Sequence, residues 1–199
     1  NVLVLRGDAA KGDPYFSPCD GGYRYALDLL KQVKALNTGH MLDSNLSIRM
    51  NNPFCCGVAG YPEMHGEAGS KSDDLKHLKA KVDAGADYIV TQMFFDNEAF
   101  LGFVAECREF GIEVPIIPGL KPLATKKQIE LLPDLFHISI PEALSKEVLK
   151  AKDDTQVRQI GVEWAIGQCR ELKKLNVPAL HFYTMSKADN VESVVKAVF

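Results

Sequence analysis

Five apolar runs, each followed by a stretch with helical spacing, predict an α/β fold of five βα units. Residues 1–199 then form one domain, the last five units of a (βα)8 TIM barrel. The runs are Val2–Leu5, Phe54–Gly60, Tyr88–Gln92, Val114–Ile117 and Ala179–Tyr183. They are continuous rather than alternating, as in parallel strands covered on both faces. No G-x-G-x-x-G follows any of them, which sets aside a dinucleotide-binding sheet. A whole barrel needs eight strands and about 250 residues, and this chain starts inside its first strand. The expectation is that the first three units precede Asn1.

The elements follow in order. After Arg6-Gly7-Asp8 comes a loop, Ala9 to Gly22, rich in Gly, Pro and Asp. Tyr25, Leu29, Val33 and Leu36 then predict a helix over Tyr23–Leu36. The polar segment Asn37–Pro53 has no clear period. Ser70–Ala84 predicts an amphipathic helix with Leu75, Leu78 and Val82 as its core stripe and Gly85 as its stop. In that helix Asp74, His77 and Lys81 share an adjacent sector. Taken alone, they read as a solvated face. A helix over Asn97–Phe110 stops at Gly111. A short one is expected near Lys126–Leu132, another from Pro141, and a long one over Asp153–Leu175, whose aspartates suit its N-terminus. Ser186 is expected to cap a last helix running to Phe199.

Composition narrows the function. Hydrophobic residues make up 46% and charged residues 25%, in the range of globular domains. A net charge of −3 with scattered basic residues gives no electrostatic reason to bind nucleic acid or an anionic membrane. No apolar run is long enough to span a bilayer, and no signal-peptide pattern opens the chain; a cytoplasmic protein is expected. The five cysteines are odd in number and form no Cys-x-x-Cys. They read as reduced thiols used as small core residues, with Cys55 and Cys56 facing opposite ways.

The strand ends carry Arg6-Gly7-Asp8, Tyr61 with His65, Thr91-Gln92, Pro118-Gly119 and His181-Phe182-Tyr183-Thr184. A rim of this kind is aromatic and rich in hydrogen-bonding groups, with one carboxylate. It has no serine or cysteine nucleophile beside a base and no clustered metal ligands, so no metal is expected. It suits a flat heteroaromatic cofactor and a flat substrate.

These residues resemble the methylenetetrahydrofolate reductases. The resemblance rests on Leu5-Arg6-Gly7-Asp8, Ala59-Gly60-Tyr61-Pro62-Glu63-x-His65-x-Glu67-Ala68, Lys81-Val82-x-Ala84-Gly85-Ala86, Thr91-Gln92-x-Phe94-Phe95-Asp96, Ile117-Pro118-Gly119 and His181-Phe182-Tyr183-Thr184. Each motif alone is weak; in this order and spacing they cover nearly the whole chain. The resemblance implies a (βα)8 barrel with FAD at the carboxyl ends of its strands. It implies reduction of 5,10-methylenetetrahydrofolate to 5-methyltetrahydrofolate with NADH or NADPH, a step of one-carbon metabolism that serves methionine biosynthesis. A homo-oligomer is also implied.

Matched residue by residue, Arg6, Gly7, Asp8, Tyr25, Ala26, Tyr61, His65, Ala68, Asp74, His77 and Lys81 take the FAD-contacting positions. Lys81 then serves the pyrophosphate and Asp74 the ribityl or ribose hydroxyls. Asp8 takes the catalytic position beside flavin and pterin, where a carboxylate steadies positive charge on the folate and lowers the flavin potential. Gln92, Gln128 and Lys187 join Asp8 in contacting substrate. Three departures stand out. Lys187 replaces an arginine, keeping the charge and losing the fork. Leu132 replaces an aromatic. The family's glutamate acid belongs to a strand before Asn1. Two other readings stay open at this level: a relative without FAD that transfers methyl groups to or from tetrahydrofolate, and a non-catalytic barrel subunit that binds a redox protein. The electron donor is open too, with a reduced iron–sulfur partner beside the two nicotinamides.

Overall fold

Five parallel strands pair in chain order and curl into a half-barrel, with helices packed on the outer face. The computed structural model describes residues 1–10, 12–13, 16–43, 45–48 and 51–199. The expected loop assignments at Lys11, Pro14, Tyr15, Ser44, Arg49 and Met50 lie outside those residues. The order is β1 (Val2–Val4), α1 (Ala26–Asn37), β2 (Cys56–Gly60), α2 (Lys71–Asp83), β3 (Tyr88–Met93), α3 (Asn97–Glu109), β4 (Ile116–Leu120), α4 (Gln128–Phe136), α5 (Glu142–Lys150), α6 (Asp154–Lys174), β5 (His181–Phe182) and α7 (Asp189–Val198). Each strand pairs in parallel with the next, β1 with β2 through to β4 with β5.

Strand alternation decides the two faces. Val4, Val58, Ile89, Ile116 and Leu120 point outward into one core with Leu30, Leu78, Phe103 and Leu172 from the helices. A second core gathers Met93, Phe95, Leu123, Leu132, Leu144 and Val148 beyond the ends of β3 and β4. It carries α4 and α5 over that side of the mouth. The thiols are all free; Cys56, Cys107 and Cys169 are buried and Cys55 is exposed, so neighbours Cys55 and Cys56 do diverge.

The elements depart from expectation in four places. Tyr25 is not part of α1's apolar stripe. It is 56% exposed and stands at the N-cap, while Leu29 and Val33 pack on the core. β4 sits further along than Val114–Ile117, and it takes in Pro118 and Gly119. Pro118 has no N–H to give β3, and the register slips between Val90 and Met93. The Gly119 N–H there bonds the Thr91 hydroxyl at 2.9 Å instead. α4 runs on through Pro133 to Phe136 and closes on His137 in the left-handed region, φ 52°. Ser186 does not cap α7. It sits at φ 64°, and Ala188 is the N-cap, with no side-chain bond.

Candidate functional site

The ends of β1 and β2 and the facing sides of α1 and α2 enclose a cleft of about 500 Å³, within the range of small-molecule sites. Arg6, Gly7, Asp8, Tyr25, Ala26, Tyr61, His65, Ala68, Asp74, His77 and Lys81 all line it. Glu67 and the Ala59 carbonyl complete the polar side, and Val4, Leu5, Leu27 and Ala80 add apolar surface.

Helix α2 is built to present its share. The Ser70 hydroxyl accepts the Asp73 N–H at 3.1 Å and caps the helix. Leu75 and Leu78 then turn into the core. That rotation aims the Asp74, His77 and Lys81 sector at the cleft. Asp74 Oδ2 accepts the His65 N–H at 3.0 Å, so the helix holds the loop after β2. The loop is braced from the other side as well: Glu63 Oε2 accepts the Ser139 N–H at 2.8 Å. Gly66 lies against the His137 ring so closely that no side chain would fit. Within the loop, Met64 takes φ 86°, an uncommon value for a residue with a side chain. The Glu67 N–H donates to His65 Nδ1 at 3.0 Å, so the His65 proton sits on Nε2 when the ring is neutral. Burial lowers the His65 pKa, and its ring meets Tyr61 edge-on at 4.6 Å. Burial first, then the charge of Asp74, pushes the Tyr61 phenol up to about 12.

Two cations flank the opening. Arg6 forks onto Glu67 with bonds of 2.8 and 2.7 Å and lies over the Phe16 ring at 5.0 Å. The hydrogen bond between them raises the arginine pKa and lowers that of Glu67. Lys81 donates one N–H to the Ala59 carbonyl at 2.7 Å, leaving two hydrogens for a ligand. Burial pushes its pKa down to about 8, with Asp74 opposing. The N-terminus of α1 opens onto the same cleft through Tyr25, Ala26 and Leu27, and Tyr25 makes no side-chain cap bond. Uncapped helix N–H groups beside an ammonium form a phosphate-binding arrangement, while Asp74 offers an acceptor to hydroxyls. The donor set therefore fits a dinucleotide cofactor.

Gln92, Gln128 and Lys187 stand apart from that cleft. Gln92 is on β3, and its Oε1 accepts the Met93 N–H at 2.9 Å. Gln128 opens α4, and its Oε1 accepts the Ala124 and Thr125 N–H groups at 2.7 and 3.3 Å. Lys187 is exposed after β5. Leu132 is buried in the second core. Sequence reasoning left Glu67 without a role, although an acid after the strand next to that of Arg6 was a usable signal. The Ala59 carbonyl carried no signal, being backbone. Among the described residues no group of three or more His, Cys, Asp or Glu could hold a metal ion, and no helix is long and apolar enough to cross a membrane.

The chain is similar to known proteins over its whole length. The family profile described as Methylenetetrahydrofolate reductase matches residues 1–198. Methylenetetrahydrofolate reductase 1 of Schizosaccharomyces pombe is 37% identical over 199 residues, covering 100% of this chain and 30% of that protein. The 5,10-methylenetetrahydrofolate reductase of Escherichia coli is 39% identical over 190 residues, covering 95% of this chain and 57% of that protein. Methylenetetrahydrofolate reductase (NADH) 1 of Zea mays is 37% identical and covers 94% of this chain and 31% of that protein. The chain thus spans from 30% to 57% of the length of these relatives. A solved structure, an uncharacterized protein from Clostridium thermocellum that binds two copies of 5-methyl-5,6,7,8-tetrahydrofolic acid, superposes with a TM-score of 0.53 at 18% identity, covering 96% of this chain and 64% of that one; it shares the fold. With motifs in order, a half-barrel of parallel strands and a profile match end to end, the chain belongs to the methylenetetrahydrofolate reductase family.

Proposed function

We propose that this chain is the cofactor- and substrate-binding part of an FAD-dependent methylenetetrahydrofolate reductase. It reduces 5,10-methylenetetrahydrofolate to 5-methyltetrahydrofolate with electrons from NADH or NADPH. The observation that carries this is the single cleft where four elements bring together an uncapped helix end, a lysine with two open N–H groups and an acceptor carboxylate. In this reading Lys81 and the α1 N-terminus hold the FAD pyrophosphate. Asp74 and His77 meet its hydroxyls, and Arg6, Gly7, Tyr25, Ala26, Tyr61, His65 and Ala68 shape the rest of the wall. FAD, when bound, supplies the hydride that converts the methylene carbon to methyl. Asp8 sits at the mouth of β1 and holds negative charge beside the cationic folate, which lowers the barrier to hydride arrival. Gln92, Gln128 and Lys187 orient the folate. Donor and folate share one slot, so the kinetics are ping-pong. β1 and β5 each pair on one side only among the described residues, and three further βα units would close the barrel. The working protein is a cytoplasmic homo-oligomer.

The test is an absorbance spectrum of the full-length protein, repeated after anaerobic addition of NADH and then NADPH. A flavin band that bleaches with one of them and returns with methylenetetrahydrofolate supports the reading and names the donor. A flavin band that neither bleaches points to a protein donor. No flavin, even after FAD is supplied, overturns the reading in favour of a methyl-transferring relative.

A further inference from the structure

Lys121 is the residue after β4, and it is 7% exposed. Among the described residues it makes no hydrogen bond or ion pair, and no neighbouring charge offsets the burial that lowers its pKa. Lysines are rarely so buried without a partner. Here the stem is packed away while the ammonium keeps a water contact, so Nζ is free to exchange that water for a ligand oxygen.

Its position says where a partner would come from. Ile116 and Leu120 point outward into the helix-covered core, so Ile117 and Gly119 face the concave side. The same alternation, continued one residue past the strand, puts Lys121 with them. Gly119 pairs with His181, and the Tyr183 ring lies across it: a Cβ on Gly119 would stand 2.7 Å from Tyr183 Cε2. The Tyr183 hydroxyl spends its proton on the Thr91 carbonyl at 2.8 Å. On β3, Val90 pairs with Ile117 and, past the register shift, Met93 pairs with Gly119, so Gln92 lies in the irregular stretch beside that strand end. Backbone N–H groups hold the amide oxygens of both Gln92 and Gln128, which leaves each amide's NH2 to be offered. The ends of β3 and β4 and the start of α4 thus carry two amides with free NH2 groups and one ammonium.

We infer that Lys121 is a further substrate-binding residue, donating from the mouth of β4 to an acceptor oxygen of the bound folate. The inference rests on the folate-reductase reading above. Donors of this kind recognise carbonyl or carboxylate oxygens, and the ligand supplies the partner that the free protein lacks. Such a residue serves the ligand and not the fold, which separates it from a structural lysine.

Lys121→Met keeps the buried stem and removes the charge. The full-length flavoprotein and this variant are titrated with 5-methyltetrahydrofolate and with 5-methyltetrahydropterin lacking the aminobenzoyl-glutamate tail; FAD content and ligand-free melting temperature are measured alongside. The expected result is a melting temperature equal to or above the parent's, unchanged FAD content, and folate affinity weaker by about 10- to 100-fold. Weakening of both ligands assigns the oxygen to the pterin ring; weakening of the folate alone assigns it to the tail. Unchanged folate affinity overturns the inference. So does a lower melting temperature with loss of FAD, which marks a structural lysine. A parent protein that binds FAD but neither ligand overturns the folate reading itself, and that titration needs no variant to show it.

Discussion

Lys81 and Lys121 stand at the same end of one sheet and are treated in opposite ways. Lys81 is tied to the Ala59 carbonyl and faced by Asp74; Lys121 has neither. The contrast extends to their surroundings. In the cleft, Arg6 is bonded to Glu67 and Asp74 to the His65 backbone, so the walls are set before any ligand arrives. Over β3 and β4, two amides and an ammonium are left idle. A preorganised wall loses little entropy on binding, which suits a resident cofactor. An unsatisfied wall rejects any ligand that lacks the matching acceptors, which suits a site that must choose a substrate.

The largest expected effect falls on the cleft, at the end of β1. Asp8→Asn should slow reoxidation of reduced flavin by methylenetetrahydrofolate by roughly 10²- to 10³-fold, the scale of one removed electrostatic contact. FAD content should hold. An unchanged half-reaction by stopped flow would remove Asp8 from the chemistry and leave the two regions uncoupled.

Next is Lys81→Met, which should weaken FAD binding by about 10- to 100-fold in equilibrium titrations while sparing folate affinity. The pH dependence gives this variant a second signature. The folded pKa, about 8, lies below the ordinary 10.5. Between those values the unfolded chain binds more protons, so this group makes the FAD-free protein more stable as pH rises through that window. FAD affinity should change in the other direction, falling as the ammonium is lost above about 8. Parallel melting curves and titrations across pH should show both trends in the parent and neither in Lys81→Met.

Gly119→Ala tests the packing within the β3–β4 region. Its Cβ would collide with the Thr91 carbonyl oxygen and crowd Tyr183 Cε2 at 2.7 Å. Overpacking of this kind costs about 1–3 kcal/mol, read by chemical denaturation. The smallest effect belongs to Glu67→Gln. Glu67 is 56% exposed, and an ion pair of that sort is worth about 1 kcal/mol or less. Its loss should barely move the melting temperature, and a large drop would mean that the Arg6 fork anchors the cleft.

Much of the cleft was legible in the chain. The 3.6-residue period that turns Leu75 and Leu78 inward also brings Asp74, His77 and Lys81 into one adjacent sector of α2, so local geometry settles that their side chains travel together. Strand positions were legible as apolar runs, although β4 slid past Val114 because Pro118 shifts its pairing with β3. The cap at Ser186 failed since a capping residue is defined by the backbone conformation around it, and here that residue turns left-handed. Lys121 passed unnoticed: one charged residue at the end of an apolar run reads as an exit to solvent.

The sequence by itself determined the βα order through local periodicity, and its motifs carried the resemblance that implies the family and the residues that line the cleft. Only the tertiary structure decided which lysine has a partner, that Arg6 is bound to Glu67, and that Gln92 and Gln128 keep their oxygens for the backbone and offer only their NH2 groups. The Lys81 and Arg6 pairings join groups 22 and 61 residues apart, and the glutamine bonds, though local, depend on carbonyl and amide directions that are set when strands register and helices dock. No side chain carries that information in its own neighbourhood.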